Sequence, residues 1–152
     1  SPIIPIVGSD SKFQPIYVDN VAAAVESVVT QKNISGIYEL GGPDIVSNKD
    51  LMIKMLSIIR RKRFIFSLPF SLANLMAVGF SFIELLSVGL LKAPLTADNV
   101  KQLKEDNVVD LKAKTLSDLG VREETLDSVL PTYLYRYRPY GQYSELTESA
   151  KN

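Results

Sequence analysis

The stretch FQPIYVDNVAAAV, residues 13–25, decides how this chain is read. Residues 13–18 alternate loosely in β-type side chains and run straight into Ala22-Ala23-Ala24, so the stretch predicts a strand followed by a helix. Pro15 has no N–H to give a ladder, which places that strand at an edge or a bulge. Asp19 is expected to cap a helix over residues 21–30. Ile37-Tyr38-Glu39-Leu40 reads as a second strand, stopped by Gly41-Gly42-Pro43. Strand, helix and strand within residues 13–40 predict a βαβ crossover, and hence a parallel pair in an α/β fold. A nucleotide-binding unit of that kind carries a G-x-G-x-x-G turn for the pyrophosphate. None occurs in the 152 residues.

Composition narrows the chemistry. The chain is 46% hydrophobic and 22% charged, which suits an ordered globular protein. Lys plus Arg and Asp plus Glu each total 17, so the net charge is zero. That balance gives no electrostatic ground for nucleic acid or an acidic surface as partner. With no cysteine and no histidine, disulfides, thiolate sites, the usual zinc ligands and Ser-His catalysis are excluded. The opening Ser-Pro-Ile-Ile-Pro has no signal-peptide pattern and reads as a trimmed portion of something longer.

Further along, Ser47-Asn48-Lys49-Asp50 has capping-box spacing and opens a helix whose apolar face carries Leu51, Met52, Met55, Leu56 and Ile59. Arg60-Arg61-Lys62-Arg63 closes it as cations at a helix C-terminus. Residues 64–68 follow as a short strand, ended by Pro69. Residues 70–91 are apolar enough to raise a membrane span, but Asn74, Glu84 and the Ser and Gly residues favour a buried helix or one packed on a partner or membrane surface. Thr96 is expected to cap residues 97–105. Thr115 to Leu119 forms a turn stopped by Gly120, with Val121 making a Schellman contact. Glu123 and Glu124 suit the first turn of a last helix, which Pro131 limits or restarts.

The carboxylate pairs Glu105-Asp106 and Glu123-Glu124 sit where helix ends and solvated turns are expected, so they read as structural rather than catalytic. Tyr133, Tyr135 and Tyr137 with Arg136 and Arg138 have the makings of a stacking platform, but in a neutral chain they read first as an aromatic C-terminal helix packing on its own domain and next as a protein interface. No tyrosine has a Lys four residues on, so the short-chain dehydrogenase acid/base pair is absent from these residues.

Tyr17-Val18-Asp19-Asn20-Val21-Ala22 resembles the aromatic-x-V-D-D-V-A segment of extended short-chain dehydrogenases. In their sugar-nucleotide epimerases this strand brings an Arg to the substrate phosphate, whereas Phe13-Gln14-Pro15 stands here. Tyr38-Glu39-Leu40-Gly41-Gly42-Pro43, Pro94-Leu95-Thr96, Asp98-Asn99-Val100, Asn107-Val108-Val109 and Leu130-Pro131-Thr132-Tyr133-Leu134 continue the likeness in order over nearly the whole chain. Together they resemble the atypical branch of the NAD-dependent epimerase/dehydratase superfamily related to the nucleotide-binding accessory subunit of respiratory complex I (NADH-ubiquinone oxidoreductase) and its bacterial relatives.

The resemblance implies an α/β fragment. Residues 1–68 would be the last parallel strands and helices of a Rossmann-type domain, 69–140 a small, mostly helical domain, and 141–152 a flexible tail. NAD(P) is expected for the full-length parent and none for this chain, which alone would be inactive. No catalytic, cofactor-binding or metal residue carries over; Gln14 and Tyr17 would lie on the substrate side of the cleft. The expected partners are the missing N-terminal Rossmann half, subunits of the complex or a membrane surface, and a second copy through an exposed strand edge, with no nucleic acid. The implied place is cytoplasmic, peripheral on the inner face of the inner membrane, or the matrix side of a mitochondrion. Two other readings stay open: a non-catalytic assembly or structural factor of the complex, and a nucleotide-sugar epimerase/dehydratase substrate domain.

Overall fold

A computed structural model describes residues 2–86, 96–139 and 141. Its parallel pair is formed by β1 (Ile3–Val7) and β4 (Phe64–Leu68), in the register Ile3 with Phe64 through Val7 with Leu68. Between them run β2 (Lys12–Phe13), α1 (Val18–Thr30), β3 (Val46–Ser47) and α2 (Asn48–Ile58). After β4 come α3 (Phe70–Leu86), α4 (Ala97–Gln102) and α5 (Leu126–Leu134). The molecule is thus mixed α/β, with a small parallel sheet and several helices.

The expected crossover between residues 13–18 and 37–40 does not form. The first segment is a strand only at Lys12–Phe13, paired antiparallel with Val46–Ser47. The second contributes a single bridge, Tyr38 to Lys114. Pro15 gives the physical reason, since it has no N–H for a ladder. The backbone here is instead tied to residues 107–114: Asn107 N–H donates to the Lys12 carbonyl, Gln14 N–H to the Asn107 carbonyl and Glu39 N–H to the Lys114 carbonyl.

Local capping chemistry is largely as the side chains predict. Ser47 Oγ accepts from Asp50 N–H at 3.0 Å and donates to Asp50 Oδ2 at 2.6 Å. Thr96 Oγ1 accepts from Asn99 N–H, although the helix it opens ends at Gln102 rather than at Glu105. Gly120 is left-handed at φ 71, and Val121 N–H reaches back to the Leu116 carbonyl at 3.1 Å, which completes the Schellman closure.

Two helix starts differ from expectation. α1 begins at Val18, with extended Tyr17 in the cap position and no side-chain cap, so Asp19 sits inside the first turn. A carboxylate there still complements the helix dipole. α5 begins at Leu126, capped by Thr125, so Glu123 and Glu124 precede it, and the helix continues through Pro131 to Leu134.

Two apolar clusters hold these parts. Ala73, Ala77 and Val100 pack against Val7, Leu68 and Phe70, which seats α3 and α4 on the end of the parallel pair. Ala24, Leu116 and Leu119 pack against Ile16, Tyr38, Leu40 and Val121, which joins α1 to the turn after residue 115. Both clusters draw on residues from before and after residue 68. Among the described residues no helix is long and apolar enough to cross a membrane. The last part of the apolar stretch 70–91 and most of 141–152 lie outside the described residues.

Candidate functional site

The segment 14–17 forms a wall shared by two clefts. One, of about 340 Å³, runs between Tyr17 at the start of α1 and Leu126, Val129 and Tyr133 of α5. The other, of about 490 Å³, lies between Gln14 and the segments carrying Leu40, Gly41 and Val109. Gln14 and Tyr17 therefore front different clefts, although Pro15 and Ile16 line both.

Gln14 is fully engaged with backbone. Its Nε2 donates to the Gly42 carbonyl at 2.7 Å, and its Oε1 accepts from Val109 N–H at 2.9 Å. One amide side chain thus replaces ladder bonds that Pro15 interrupts. The neighbouring glycines fit the same junction. A Cβ on Gly41 would stand 2.6 Å from Val109 Cγ2, and one on Gly42 would stand 2.1 Å from the Pro15 carbonyl oxygen. Gly41-Gly42-Pro43 reads as a turn in sequence; what demands glycine is this close backbone approach.

Tyr17 meets Tyr133 edge to face, with ring centroids 6.2 Å apart. Its hydroxyl is held well above the usual tyrosine range, first by hydrogen bonding with Asp19 and then with Tyr133. A raised value favours the protonated form in the fold. Any stability it lends is fully present below the ordinary value of about 10 and is lost as the pH rises above it. In an alkaline titration followed by tyrosinate absorbance, Tyr17 should ionise well above the ordinary value of about 10, and Asp19→Asn should lower its midpoint. If Tyr17→Phe removes a tyrosine that ionises at about 10, this geometry is wrong.

The structural anchors that sequence reading missed are Asn20 and Asp44. Buried Asn20 donates from Nδ2 to the Arg122 carbonyl at 2.7 Å and accepts at Oδ1 from Glu124 N–H at 3.2 Å. Asp44 Oδ2 accepts from Leu126 N–H at 2.6 Å. Their partners lie more than 80 residues away, so no local signal marks them.

The carboxylate pairs also serve structure. Asp106 Oδ1 accepts from Lys12 N–H at 2.8 Å, and Glu124 Oε2 accepts from Ser128 Oγ at 3.2 Å. Among the described residues no group of three or more acidic side chains could hold a metal ion. The three tyrosines near the end do separate work: Tyr133 faces Tyr17, Tyr135 lies under Arg136, and the Tyr137 carbonyl accepts from Arg61.

Comparison with known proteins adds what geometry alone does not. No family model matches the chain. It is 31% identical over 157 aligned positions to NADH dehydrogenase (ubiquinone) 1 alpha subcomplex subunit 9, mitochondrial, of Arabidopsis thaliana, covering 97% of this chain and 38% of that protein. It is 26% identical over 137 positions to the NADH-ubiquinone oxidoreductase 40 kDa subunit, mitochondrial, of Neurospora crassa, covering 90% and 35% respectively. The chain therefore spans little more than a third of the length of the curated relatives it matches.

Proposed function

We propose that the chain, which is similar over nearly its whole length to mitochondrial subunits of NADH-ubiquinone oxidoreductase, is a structural, non-catalytic part of an accessory subunit of that complex, in the NAD-dependent epimerase/dehydratase-like branch of the short-chain dehydrogenases. The observation that carries this reading is how Gln14 and Tyr17 are used. Both polar ends of Gln14 are taken by backbone groups, which leaves the side chain as a strut. A dehydrogenase tyrosine works by giving up its proton near the operating pH, whereas Asp19 and Tyr133 make that harder for Tyr17.

The sheet supports the same reading. Parallel sheets are stable with both faces covered, and two strands alone are marginal. Here Phe64 is 66% exposed, and Ile3 and Phe66 beside it are also exposed. In a doubly wound parent, further strands carrying the NAD(P) loop would extend this sheet at its edge, and their crossover helices would cover this face. An accessory subunit so assembled would sit peripherally with the other subunits of NADH-ubiquinone oxidoreductase, on the matrix side in a mitochondrion. The sugar-nucleotide alternative is disfavoured by Gln14, because its amide is already occupied and an epimerase would bring an Arg there.

Fluorescence titration with NADH tests the division of labour. The 152-residue chain should give no saturable quenching; saturable binding in the micromolar range would overturn the proposal.

A further inference from the structure

At the far end of α2 its C-terminus meets that of the 3-10 turn Tyr135–Tyr137 that follows α5, and each is capped by an arginine of the other. Arg61 Nε donates to the Tyr137 carbonyl at 3.2 Å, and Arg138 Nε donates to the Ile58 carbonyl at 3.0 Å. Cations at helix C-termini complement the dipole and satisfy its last carbonyls, so capping accounts for these two.

Capping does not account for Lys62, Arg63 and Arg136. Arg63 bonds the adjacent Lys62 carbonyl, and Arg136 lies over the Tyr135 ring. Among the described residues none of the three has a carboxylate partner; the described ion pair is Lys54 with Asp127. Sequence explains why. Neither Asp nor Glu occurs in residues 51–83 or 128–144, and the fold brings these two acid-free segments together. The zero net charge of the chain thus conceals a local basic excess.

Two clefts of about 520 and 590 Å³ share Arg61 as a wall; Lys62 and Arg63 line the first, and Arg136 stands next to Tyr137, which lines the second. Their floors are apolar, formed by Leu56 and Ile65 in one and by Met55, Ile59 and Leu134 in the other. The floor residues named are half-buried, whereas Ile53 and Tyr137 at the cleft margins are exposed, as are Arg61, Lys62 and Arg136. We propose that this groove docks an acidic peptide segment of a partner protein, with its apolar side chains in the clefts and its carboxylates on the basic rim. A membrane surface would need the apolar groups outermost, reaching past the cations into the acyl region. A recessed floor is reached by a side chain that enters it. The inference rests on the groove and does not depend on the subunit assignment.

The test is fluorescence anisotropy of a labelled peptide of glutamates and leucines, titrated with the 152-residue protein. Saturable micromolar binding at low salt is expected, weakening as salt screens the rim. Lys62→Glu with Arg63→Glu should weaken it by about tenfold or more, and Arg136→Glu, beside Tyr137 of the second cleft, should also weaken it. Because the rims belong to different segments, a variant that loses its native circular dichroism leaves the other, and the salt series on the unaltered protein, to decide. No saturation, equal affinity for the charge-reversed proteins, or equal binding of a lysine–leucine peptide would overturn the proposal. So would tighter binding to vesicles of anionic phospholipid than to the peptide, which would make the membrane the partner.

Discussion

Gly42→Ala is expected to lower the melting temperature by about 6–12 °C. The added Cβ would stand 2.1 Å from the Pro15 carbonyl oxygen, a backbone atom that cannot swing aside. Relief requires separating residues 41–42 from 13–16, and that separation breaks the Gln14 bond to the Gly42 carbonyl. Overpacking of a buried junction costs about 3 kcal/mol at the upper end of its usual range. In a chain of this size each kcal/mol shifts the midpoint by about 2–4 °C. Gly41→Ala should be milder, because its nearest contacts are the side chains of Val109 and Gln14. Gly79→Ala meets nothing within 4 Å and lies inside α3, so it should stabilise by about 1 kcal/mol. Thermal melts by circular dichroism rank the three; a Gly42→Ala protein as stable as Gly79→Ala would contradict the described junction.

Leu116→Ala should remove about 2–5 kcal/mol of stability. Leu116 is 0% exposed and packs with Ala24 and Leu119, so truncation leaves a cavity at the point where α1 joins the later turn. The neighbours are held by Ser27 Oγ donating to the Leu119 carbonyl at 2.8 Å and by the Schellman bonds, which limits collapse into the space. Urea unfolding should show a lower midpoint with an unchanged slope. Leu111, fully exposed, is the control, and its replacement by Ala should change stability by less than about 0.5 kcal/mol. A loss of under about 1 kcal/mol at Leu116 would mean that this cluster is not the core it is described to be.

What the sequence made legible were features whose partners lie close in the chain. Ser47, Thr96 and Gly120 act within a few residues of themselves, and each does what its chemistry predicts. The strand at 64–68 was legible from its apolar run and Pro69, and the family from motifs in order. Pairing was not legible. β1 finds its partner across some sixty residues, while the expected pair at 13–18 and 37–40 is displaced by Pro15 and by bonds to residues 107–114. The start of α1 moved to Val18 because the Tyr17 backbone turns there without a side-chain cap. At the candidate site, Gln14 and Tyr17 were singled out by position in the motif. Their roles depend on Gly42, Val109 and Tyr133, which only the folded chain brings near.

We propose that this chain works as part of an accessory subunit of NADH-ubiquinone oxidoreductase. Native gel electrophoresis of membranes from cells carrying an epitope-tagged copy, stained in the gel for NADH dehydrogenase activity, tests it most directly. The tag should comigrate with the active band; a tag found only as free protein, with the active band intact and untagged, would overturn the assignment.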